Sequence, residues 1–420
     1  MTALLITVFL VTLIIGVPVA FSIALSAIAV MAVGDVNMGM MIQRMFTSTD
    51  TFSLIAVPFF ILAGDLLAQG AISRYLVSFA ESFLGVIKGG LSIVAVVAGM
   101  FFAAISGSGA ATTAAVGATL IPELRKRGYR TDSAAALIAA SGTIGVVIPP
   151  SVPMVLYAVI SQQSLIKLFK NGFGPGVMMG GALIIIALFQ AYRYDYPKGV
   201  AFSLANVGKT FIKAVPGILM PCIILGGIFS GKFTPSEAAA VAVVYAMLVS
   251  MIIYRDLSLQ KLLAIIAGSA KTSAVIMIII ACSGPFGWVL AKYRIPQTIA
   301  QSILGVSDNP YVVMFLIAVV IIIAGVFMET SSAIIILTPV FLPLVNAIGV
   351  DLVHFGILFT VGIAIGMITP PVAINLFVAS GITNLPIEKI AKAVIPYLIG
   401  LLLIFLLVVY LPMFFPGMIL

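Results

Sequence analysis

Two short groups of hydroxyl-bearing and glycine residues interrupt apolar stretches of this 420-residue chain. The first reads SGSG at positions 106–109, and the second reads ETSS at positions 329–332. Hydroxyl oxygens, and carbonyls that glycine leaves accessible, are ligands that small hard cations prefer. We therefore interpret both groups as candidate cation-binding segments.

Each polar group has a partner in a proline-rich break further along the chain. GVVIPP at positions 145–150 and GMITPP at positions 366–371 match at an offset of 221. Proline lacks an amide hydrogen and its ring clashes with the carbonyl one turn back, so two adjacent prolines interrupt a helix. Inside an apolar stretch the freed backbone groups need protein, ions or water as partners. A broken helix at matching positions of two halves is typical of a transporter's binding site.

We expect each half to pair one polar group with one break, because unwound backbone and helix C-termini carry partial negative charge. The first predicted cation site consists of Ser106, Ser108, Gly109, Gly145, Ile148 and Pro150. The second predicted cation site consists of Gly325, Thr330, Ser331, Gly366, Thr369 and Pro371. Between the two sites, helix N-termini would attract an anionic solute. The polar candidates for contacting that solute are Thr112, Thr113, Ser151, Ser332 and Asn375.

Two acidic residues lie within apolar segments, where an ionisable side chain is a functional candidate by default. Glu329 belongs to the second polar group, where it could be a proton site, a cation ligand or a tie to neighbouring backbone. Asp65 lies in a more peripheral segment. We interpret it as a polar contact within a scaffold or at its interface.

The composition indicates that membrane helices position these residues. Hydrophobic residues make up 62% of the chain and charged residues 8%, and apolar runs of roughly 17 to 25 residues recur throughout. The sequence therefore predicts an all-α polytopic membrane protein in contact with membrane lipids. The net charge of +8 falls in short clusters between apolar runs. This is the positive-inside pattern of membrane proteins rather than a nucleic-acid-binding surface.

Each polar group divides an apolar stretch into two arms that are short for crossing a bilayer, which predicts a re-entrant helical hairpin. Lys88 and Arg125 flank the first hairpin, whereas the flanks of the second carry no lysine or arginine. The hairpins therefore open to opposite sides, and the two repeats are inverted. The predicted segments are a first repeat, 1–192, with a hairpin at 91–124 and a broken helix at 133–160; a cytoplasmic connector, 193–213; and a second repeat, 214–420, with a hairpin at 310–344 and a broken helix at 355–380.

The residues favour transport over catalysis, but three alternatives stay open. His354 is the only histidine and has no acid clearly placed to orient it. SGSG also lacks the frame and the strand of a nucleophile elbow, so an intramembrane hydrolase has little support. An ion channel would not need two closed, oppositely facing hairpins. A stand-alone sodium- or proton-coupled carboxylate carrier of related fold would need no partner protein.

In combination, the SGSG and ETSS groups and the IPP and TPP breaks resemble one family over essentially the whole chain. It is the large membrane subunit of TRAP transporters, the tripartite ATP-independent periplasmic transporters, of the DctM/SiaM type. The resemblance includes the segment from IPEL at positions 121–124 to Gly128. Each motif alone is weak, whereas their combination is specific.

The resemblance implies sodium-coupled import of an organic acid, such as sialic acid or a C4-dicarboxylate, across a bacterial inner membrane without an organic cofactor. It implies two protein partners: a soluble periplasmic substrate-binding protein and a small four-helix membrane subunit. It also implies an elevator mechanism, in which a transport domain of hairpins and broken helices slides against a scaffold.

Overall fold

The computed structural model describes residues 1–199, 202–305, 307 and 309–414. These residues form 19 α-helices and short 3-10 and π-helical turns, and they contain no β-strand. This confirms the all-α fold class. The predicted connector, 193–213, includes residues 200 and 201, and the predicted second repeat includes residues 306, 308 and 415–420. Those residues lie outside the described part of the chain.

The first repeat contains a helical hairpin and a helix broken at its centre. Its helices are α6 (Gly90–Ser106), α7 (Gly109–Lys126), α8 (Thr131–Thr143), α9 (Val152–Ser161) and α10 (Leu165–Arg193). A two-residue link joins α6 to α7 and forms the hairpin tip. The eight residues between α8 and α9 include the proline-rich break.

The second repeat follows the same order of elements. Its helices are α15 (Pro310–Phe327), α16 (Thr330–Ala347), α17 (Leu352–Gly366), α18 (Ile374–Thr383) and α19 (Ile387–Phe414). Again a two-residue link joins the hairpin arms, and the proline-rich break separates the two halves of the broken helix. We call α6–α10 together with α15–α19 the hairpin unit.

The remaining helices form a second group, which we call the outer unit. They are α1 (Thr2–Ile14), α2 (Val19–Val33), α3 (Gly39–Thr49), α4 (Ala56–Ala68), α5 (Ile72–Leu84), α11 (Leu204–Phe229), α12 (Pro235–Leu248), α13 (Leu259–Lys292) and α14 (Ile295–Leu304). The long helix α13 packs against α2, α3 and α4, and α12 packs against α4 and α11.

The two repeats exchange contacts reciprocally within the hairpin unit. Helix α7 of the first hairpin packs on α18 of the second repeat, and α16 of the second hairpin packs on α9 of the first. Likewise α8 packs on α19, and α17 packs on α10. A two-fold relation between repeats produces this pattern, because every contact then has a partner with the roles exchanged. Neither repeat is complete without the other.

The core of the hairpin unit lies at the first halves of the two broken helices. Every residue of α8 from Ser133 to Thr143 is buried, and so is every residue of α17 from Val353 to Gly366. Helices that are apolar all round need neighbours on every side. The hairpin arms, α10 and α19 supply those neighbours.

Seven helices among the described residues are long and apolar enough to cross a membrane: α10, α11, α12 with the π-helical turn Val249–Ile253, α13, α15, α16 and α19. A further pair, Gly39–Thr49 and Phe52–Ala68, passes the same test as one span bent by 63°. The two arms of the second hairpin have 18 residues each, so their length alone does not distinguish a re-entrant arm from a crossing helix. The halves of the broken helices are shorter.

Two segments that join longer helices are themselves partly helical. Helix α11 begins at Leu204, so the second half of the predicted connector is helical; Ser203 caps it, and Lys209 and Lys213 are exposed on its surface. Helix α3 lies within the polar segment from Gly34 to Asp50, between α2 and α4. None of its residues is buried. Met40, Met41 and Met45 are partly buried against the core, and α3 packs on α13.

The base of the first hairpin is tied to the end of α10. Lys88, just before α6, forms an ion pair with Asp195, just after α10. The hydrogen bond from the Lys88 ammonium lowers the pKa of the Asp195 carboxyl. Because the pair is exposed, it contributes little to stability. It marks one end of the hairpin unit as polar, in agreement with the basic cluster there.

Candidate ion and solute site

The tip of the first hairpin is a glycine turn between two serines. Gly107 ends α6 in the left-handed conformation, with φ of 60°, which glycine adopts without steric cost. A Cβ at Gly107 would lie 2.7 Å from the carbonyl oxygen of Pro150, so the tip touches the break directly. Ser108 then caps α7 by accepting a hydrogen bond from the Ala111 amide at 3.5 Å.

Three oxygens at this tip form a compact cluster. The Ser106 hydroxyl lies 2.8 Å from the Thr112 hydroxyl and 3.2 Å from the Ser108 carbonyl. The Thr112 hydroxyl also donates to the Ser108 carbonyl at 2.8 Å. Gly145 of the break packs against the cluster, since a Cβ there would lie 2.7 Å from the Ser108 carbonyl oxygen. The structure thus brings the first polar group and the first break together.

The first break is buried along its whole length. Residues 144–151 include a 3-10 turn and a cis Pro149–Pro150 bond, and all of them are buried. Ser151 ends the break. Its hydroxyl donates to the Val146 carbonyl at 2.5 Å and accepts from the Met154 amide at 3.3 Å, which begins α9.

Helix α10 packs against the first break through two glycines that lie one turn apart on the helix. A Cβ at Gly172 would lie 3.0 Å from the Val147 carbonyl oxygen, and a Cβ at Gly176 would overlap the Ile148 side chain. Small residues at this spacing allow close helix packing in membranes. The Ile148 side chain faces α10 and carries no ligand atom, so only the Ile148 backbone carbonyl could contribute to a cation site.

The tip of the second hairpin is organised by Glu329. Its carboxylate accepts hydrogen bonds from the amides of Ser331 at 2.9 Å and Ser332 at 3.2 Å, and from the Ser331 hydroxyl at 3.1 Å. Glu329 therefore caps α16 and is exposed. Of the three roles considered from the sequence, the geometry matches the tie to neighbouring backbone.

The second hairpin and the second break meet at two glycines. A Cβ at Gly366 would overlap the backbone of Gly325, and a Cβ at Gly325 would lie 2.9 Å from the Ile363 Cα. The Thr330 hydroxyl lies 3.4 Å from the Met367 sulfur. This crossing brings Gly325 and Gly366 of the second predicted cation site into direct contact.

The second break differs from the first in exposure. Pro370, Pro371 and Val372 are exposed, and the Pro370–Pro371 bond is cis. Thr369 donates its hydroxyl to the Ile365 carbonyl at 2.9 Å. Helix α18 begins after Ala373, which is left-handed with φ of 46° and provides no side-chain cap. The oxygens of Thr369 and Pro371 are thus not gathered with the tip.

A cavity of about 290 Å³ lies between the two tips and the outer unit. The first turns of four helices line it: α7 at Gly109, α9 at Val152, α16 at Thr330 and α18 at Ile374. Helix N-termini carry unpaired amides and partial positive charge, which favour anions.

The charged side chains that line the cavity are both acidic. Asp65 on α4 and Glu329 at the second tip lie on its wall, and no described lining residue is lysine, arginine or histidine. Asp65 also accepts a hydrogen bond from the Ser269 hydroxyl of α13 at 2.6 Å. It is therefore an outer-unit residue that both ties α4 to α13 and faces the site.

A second, wider cavity of about 800 Å³ continues from the first and shares Asp65 and Ala111 with it. Its lining reaches Arg74, Lys126 and Lys261. Basic residues mark the cytoplasmic side of membrane proteins. The site thus adjoins a cavity whose wall carries basic residues, which the positive-inside pattern assigns to the cytoplasmic side.

The five residues predicted to contact a solute lie behind the cavity wall. None of them is among the described residues that line it. The hydroxyl of Thr113 donates to the Gly109 carbonyl at 2.9 Å, and the Asn375 side-chain amide donates to the Ala139 carbonyl at 3.1 Å. The Asn375 oxygen is buried without a hydrogen-bond partner. The others are Thr112, Ser151 and Ser332, which lie in the oxygen cluster, at the α9 cap and at the α16 cap.

The cavity also has lining residues that the sequence did not single out. Ile61 on α4 and Thr272 and Ile276 on α13 form its outer-unit wall. Their types are ordinary for membrane helices. Only the packing of α13 beside the second hairpin could reveal them.

The family is decided by a match over nearly the whole chain. Residues 6–414 match the model of the DctM component of the tripartite ATP-independent periplasmic transporter. The chain belongs to this family. The prediction of a TRAP large membrane subunit is therefore confirmed, and so is the expectation that the chain is not an enzyme, because this DctM component is a transporter permease.

Curated relatives agree with the assignment of this DctM component. This chain is 41% identical to the isethionate TRAP transporter permease protein DctMQ of Oleidesulfovibrio alaskensis. The match covers 97% of this chain and 65% of that longer protein. The chain is 40% identical to the C4-dicarboxylate TRAP transporter large permease protein DctM of Pseudomonas aeruginosa, covering 88% of this chain and 86% of the relative.

A solved structure supports the fold of this DctM component. The YdaH transporter of Alcanivorax borkumensis, whose crystal structure has an unusual topology, superposes with a TM-score of 0.69. The match covers 89% of this chain and 88% of the transporter, at 14% sequence identity. With the seven long apolar helices, it confirms a multi-pass membrane protein, and the family places it in the bacterial inner membrane.

Proposed function

We propose that this chain is the translocating subunit of a sodium-coupled importer of an organic acid. The observation that carries the proposal is the polarity of the cavity. The N-termini of α7, α9 and α18 attract an anion, whereas the first-turn amides of α16 are already bonded to Glu329. Asp65 and Glu329 repel an anion, and no described lining residue offers a basic side chain. Bound cations would remove this conflict. Solute binding and cation binding would then be linked, as symport requires.

The first sodium site is proposed at the oxygen cluster. Ser106, Ser108 and Thr112 already hold their oxygens within about hydrogen-bonding distance of one another, and the Pro150 carbonyl meets the tip at Gly107. A small hard cation could replace the hydroxyl hydrogens as the partner of these oxygens. The proposed ligands are drawn from Ser106, Ser108, Gly109, Gly145, Ile148 and Pro150.

The second sodium site is proposed at the corresponding crossing of the second hairpin and break. Its ligands would be drawn from Gly325, Thr330, Ser331, Gly366, Thr369 and Pro371. Here the tip and the break are not closed around one another, because Pro371 is exposed and Thr369 bonds its own helix. We propose that this site is completed when the solute or the second tip moves inward.

The buried polar residues behind the wall are proposed to hold the helix ends around the cavity in place. Ser151 caps α9, and the Ser332 amide is fixed by Glu329 at the start of α16. Asn375 lies in the first turn of α18 and links it to α8. Together with Thr112 and Thr113, they would affect the solute through the position of these N-termini.

An elevator mechanism fits the division into two units. Both tips and both breaks belong to the hairpin unit, so a solute held between them would travel with it. The outer unit meets the first tip at Gly64 of α4, where a Cβ would lie 2.9 Å from the Cα and the carbonyl oxygen of Ser106. Because glycine has no side chain, α4 presents no side-chain obstacle to movement of the tip at this contact. One sodium ion moving inward would supply about 2.3 kcal/mol per 100 mV of membrane potential.

A bulky residue at that contact tests the sliding step. We expect Gly64→Leu to block sodium-driven uptake, whereas Gly226→Leu on α11, where a Cβ meets nothing within 4 Å, should leave uptake unchanged. Sodium-dependent solute binding by the Gly64→Leu protein, measured by calorimetry, separates blocked sliding from damage to the Ser106 site, because binding persists only in the first case. Normal uptake by Gly64→Leu would contradict movement along this contact.

The partners follow from the family, whose name describes a three-part, ATP-independent periplasmic system. We propose a periplasmic substrate-binding protein that delivers the solute and a small four-helix membrane subunit that packs on the outer unit. The relatives named for isethionate and C4-dicarboxylates both point to a small organic acid. Sialic acid is the other solute that the sequence resemblance suggests.

The test is uptake into proteoliposomes that contain this chain, its small subunit and the cognate binding protein. A panel of C4-dicarboxylates, isethionate and sialic acid is offered with and without an inward sodium gradient. We expect saturable uptake of one acid that requires both sodium and the binding protein. Sodium-dependent uptake without the binding protein would indicate a stand-alone carrier. Flux that is independent of sodium and does not saturate would contradict the proposal.

A further inference from the structure

A groove of about 690 Å³ shares no described lining residue with the cavity between the tips. It is lined by α6, α10 and α11, with Phe101, Phe173, Ile184 and Cys222 among its residues. Its described lining side chains are apolar, apart from the thiol of Cys222. The groove thus offers no polar partner to a hydrophilic ligand.

The groove follows the boundary between the two units. Helices α6 and α10 belong to the hairpin unit, whereas α11 belongs to the outer unit. Phe173 and Ile184 are 11 residues apart on α10, so the groove extends about 16 Å along the helix axis. An apolar surface on membrane-spanning helices meets either lipid chains or another protein.

One end of the groove carries a cation. The rings of Phe173 and Phe229 are 6.4 Å apart in an edge-to-face arrangement, and the Lys170 ammonium lies 5.7 Å from the centre of the Phe229 ring. Lys170 and Lys232 are both exposed. Lys170 precedes Phe173 by one turn, toward the helix end away from the cytoplasmic cluster. A phosphate at the bilayer surface would meet positive charge directly above an apolar slot.

The charge at the mouth of the groove favours a phospholipid over a membrane helix. A helix of apolar residues would bring no charge to the exposed Lys170 ammonium, whereas a lipid phosphate would pair with it. The combination of an apolar slot and a cationic mouth matches the shape and charge of a phospholipid.

We propose that this groove binds one phospholipid, with an acyl chain between α6, α10 and α11 and its phosphate at Lys170. The lipid would lie between the two units and separate their apolar surfaces. The site is distinct from the ion and solute site, although Ile148 of the first break forms part of its wall. The proposal does not depend on the identity of the transported solute.

The test is photocrosslinking in vesicles of phosphatidylethanolamine and phosphatidylglycerol, with the chain and its small subunit reconstituted together. A trace of phosphatidylglycerol carries a diazirine within one acyl chain, and crosslinked peptides are identified by mass spectrometry. We expect labelling concentrated on Phe173–Ile184 and Ile218–Leu225. Labelling no greater than on the exposed α13 residues Val275 and Ile278 would overturn the proposal.

Two pairs of variants separate a bound lipid from bulk bilayer. Gly181 lines the groove and Gly268 lies on α13, and a Cβ at either meets nothing within 4 Å. Gly181→Phe should abolish the concentrated labelling, whereas Gly268→Phe should not. Lys170→Gln should lower labelling of the groove about fivefold, as expected for one lysine at an anionic surface. Lys167→Gln, one turn away, should have a smaller effect.

The small subunit is the competing occupant. If it fills the groove, labelling at Phe173–Ile184 will be absent in the assembled complex and will appear only when the chain is reconstituted alone. That result would overturn the lipid proposal, as would equal labelling in Gly181→Phe and in the unmodified protein.

Discussion

The two proline-rich breaks have nearly the same sequence motif but different surroundings. The first is buried from residue 144 to residue 151, and Ser151 caps the helix that follows. The second exposes Pro370, Pro371 and Val372, and its following helix has no side-chain cap. One motif therefore produces one enclosed break and one open break within the same unit.

The two hairpins show the same contrast, because the first is more closed than the second. The arms of the first hairpin pack against each other, whereas α15 packs mainly on α17 and α16 packs on α9. At the first tip Ser106, Ser108 and Thr112 bond one another, and at the second tip Glu329 bonds only its own helix start. We infer that the first cation site is preformed and that the second is assembled during transport.

The largest effect is expected at the crossing of the second hairpin and break. In Gly366→Ala the new methyl group overlaps the Gly325 backbone, and backbone cannot rotate away. Overpacking of this kind costs about 1–3 kcal/mol, so sodium-driven uptake should fall about tenfold to a hundredfold. Gly381→Ala on α18, where a Cβ meets nothing within 4 Å, is the matched control. Equal uptake by both variants would contradict the close crossing.

Hydroxyl deletions should distinguish the preformed site from the open one. Ser106→Ala removes a hydroxyl with two close oxygen neighbours, and we expect the sodium concentration for half-maximal uptake to rise about tenfold. Thr369→Ala should raise it about threefold, because its hydroxyl bonds only Ile365. Thr383→Ala, which loses a similar bond to Ala379, should have no effect. Unchanged sodium activation in both site variants would refute the assignment.

Much of this architecture could be predicted from the sequence, because proline and glycine restrict the backbone wherever they occur. The repeated GxxxPP motif located both breaks, and the SGSG and ETSS groups located both tips. Asp65 was expected to be a polar contact of the scaffold or its interface, and its bond to Ser269 joins two outer-unit helices. Exposure could not be predicted, since IPP and TPP look alike until neighbouring helices cover one and leave the other open.

The sequence also does not show which way the small polar side chains of the hairpin unit point. Thr113 is of the same type as Thr272 and Thr330 on the cavity wall, yet Thr113 and Asn375 are both fully buried behind it. Helices packed on all sides show no amphipathic pattern, so the sequence cannot tell which face is turned toward a cavity. The reciprocal packing of α7 on α18 and of α16 on α9 determines which side chains face the cavity.

A smaller effect is expected where Asn375 joins the two repeats. Asn375→Ala removes the bond to the Ala139 carbonyl and loosens the start of α18 beside the cavity. The apparent KM for the solute should rise about fivefold, as for one lost buried hydrogen bond, with little change in sodium dependence. Uptake measured over a range of solute concentrations and a range of sodium concentrations separates an effect on the apparent KM for the solute from an effect on sodium dependence. A change confined to the sodium dependence of uptake would contradict this role and would assign Asn375 to a cation site.

The smallest effect is expected at the uncapped start of α18. Ala373 holds a left-handed conformation that costs a residue with a Cβ about 1–2 kcal/mol. Ala373→Gly removes that cost and should raise the unfolding temperature slightly, with uptake nearly unchanged. Ser151→Gly at the equivalent start of α9 should lower the unfolding temperature, because it deletes a cap. Thermal unfolding in detergent measures both, and the same direction of change in the two variants would contradict the contrast between the breaks.

Sodium binding without solute tests the central claim most directly. The assembled membrane complex is heated in detergent over a range of sodium concentrations, with potassium keeping the ionic strength constant. A preformed site predicts stabilisation by sodium alone, reaching about 2.7 kcal/mol at a hundred times Kd. Ser106→Ala should lose most of this stabilisation, and Thr369→Ala should keep it. If potassium stabilises the protein equally, or if Ser106→Ala retains the full effect, no preformed sodium site exists at the first tip.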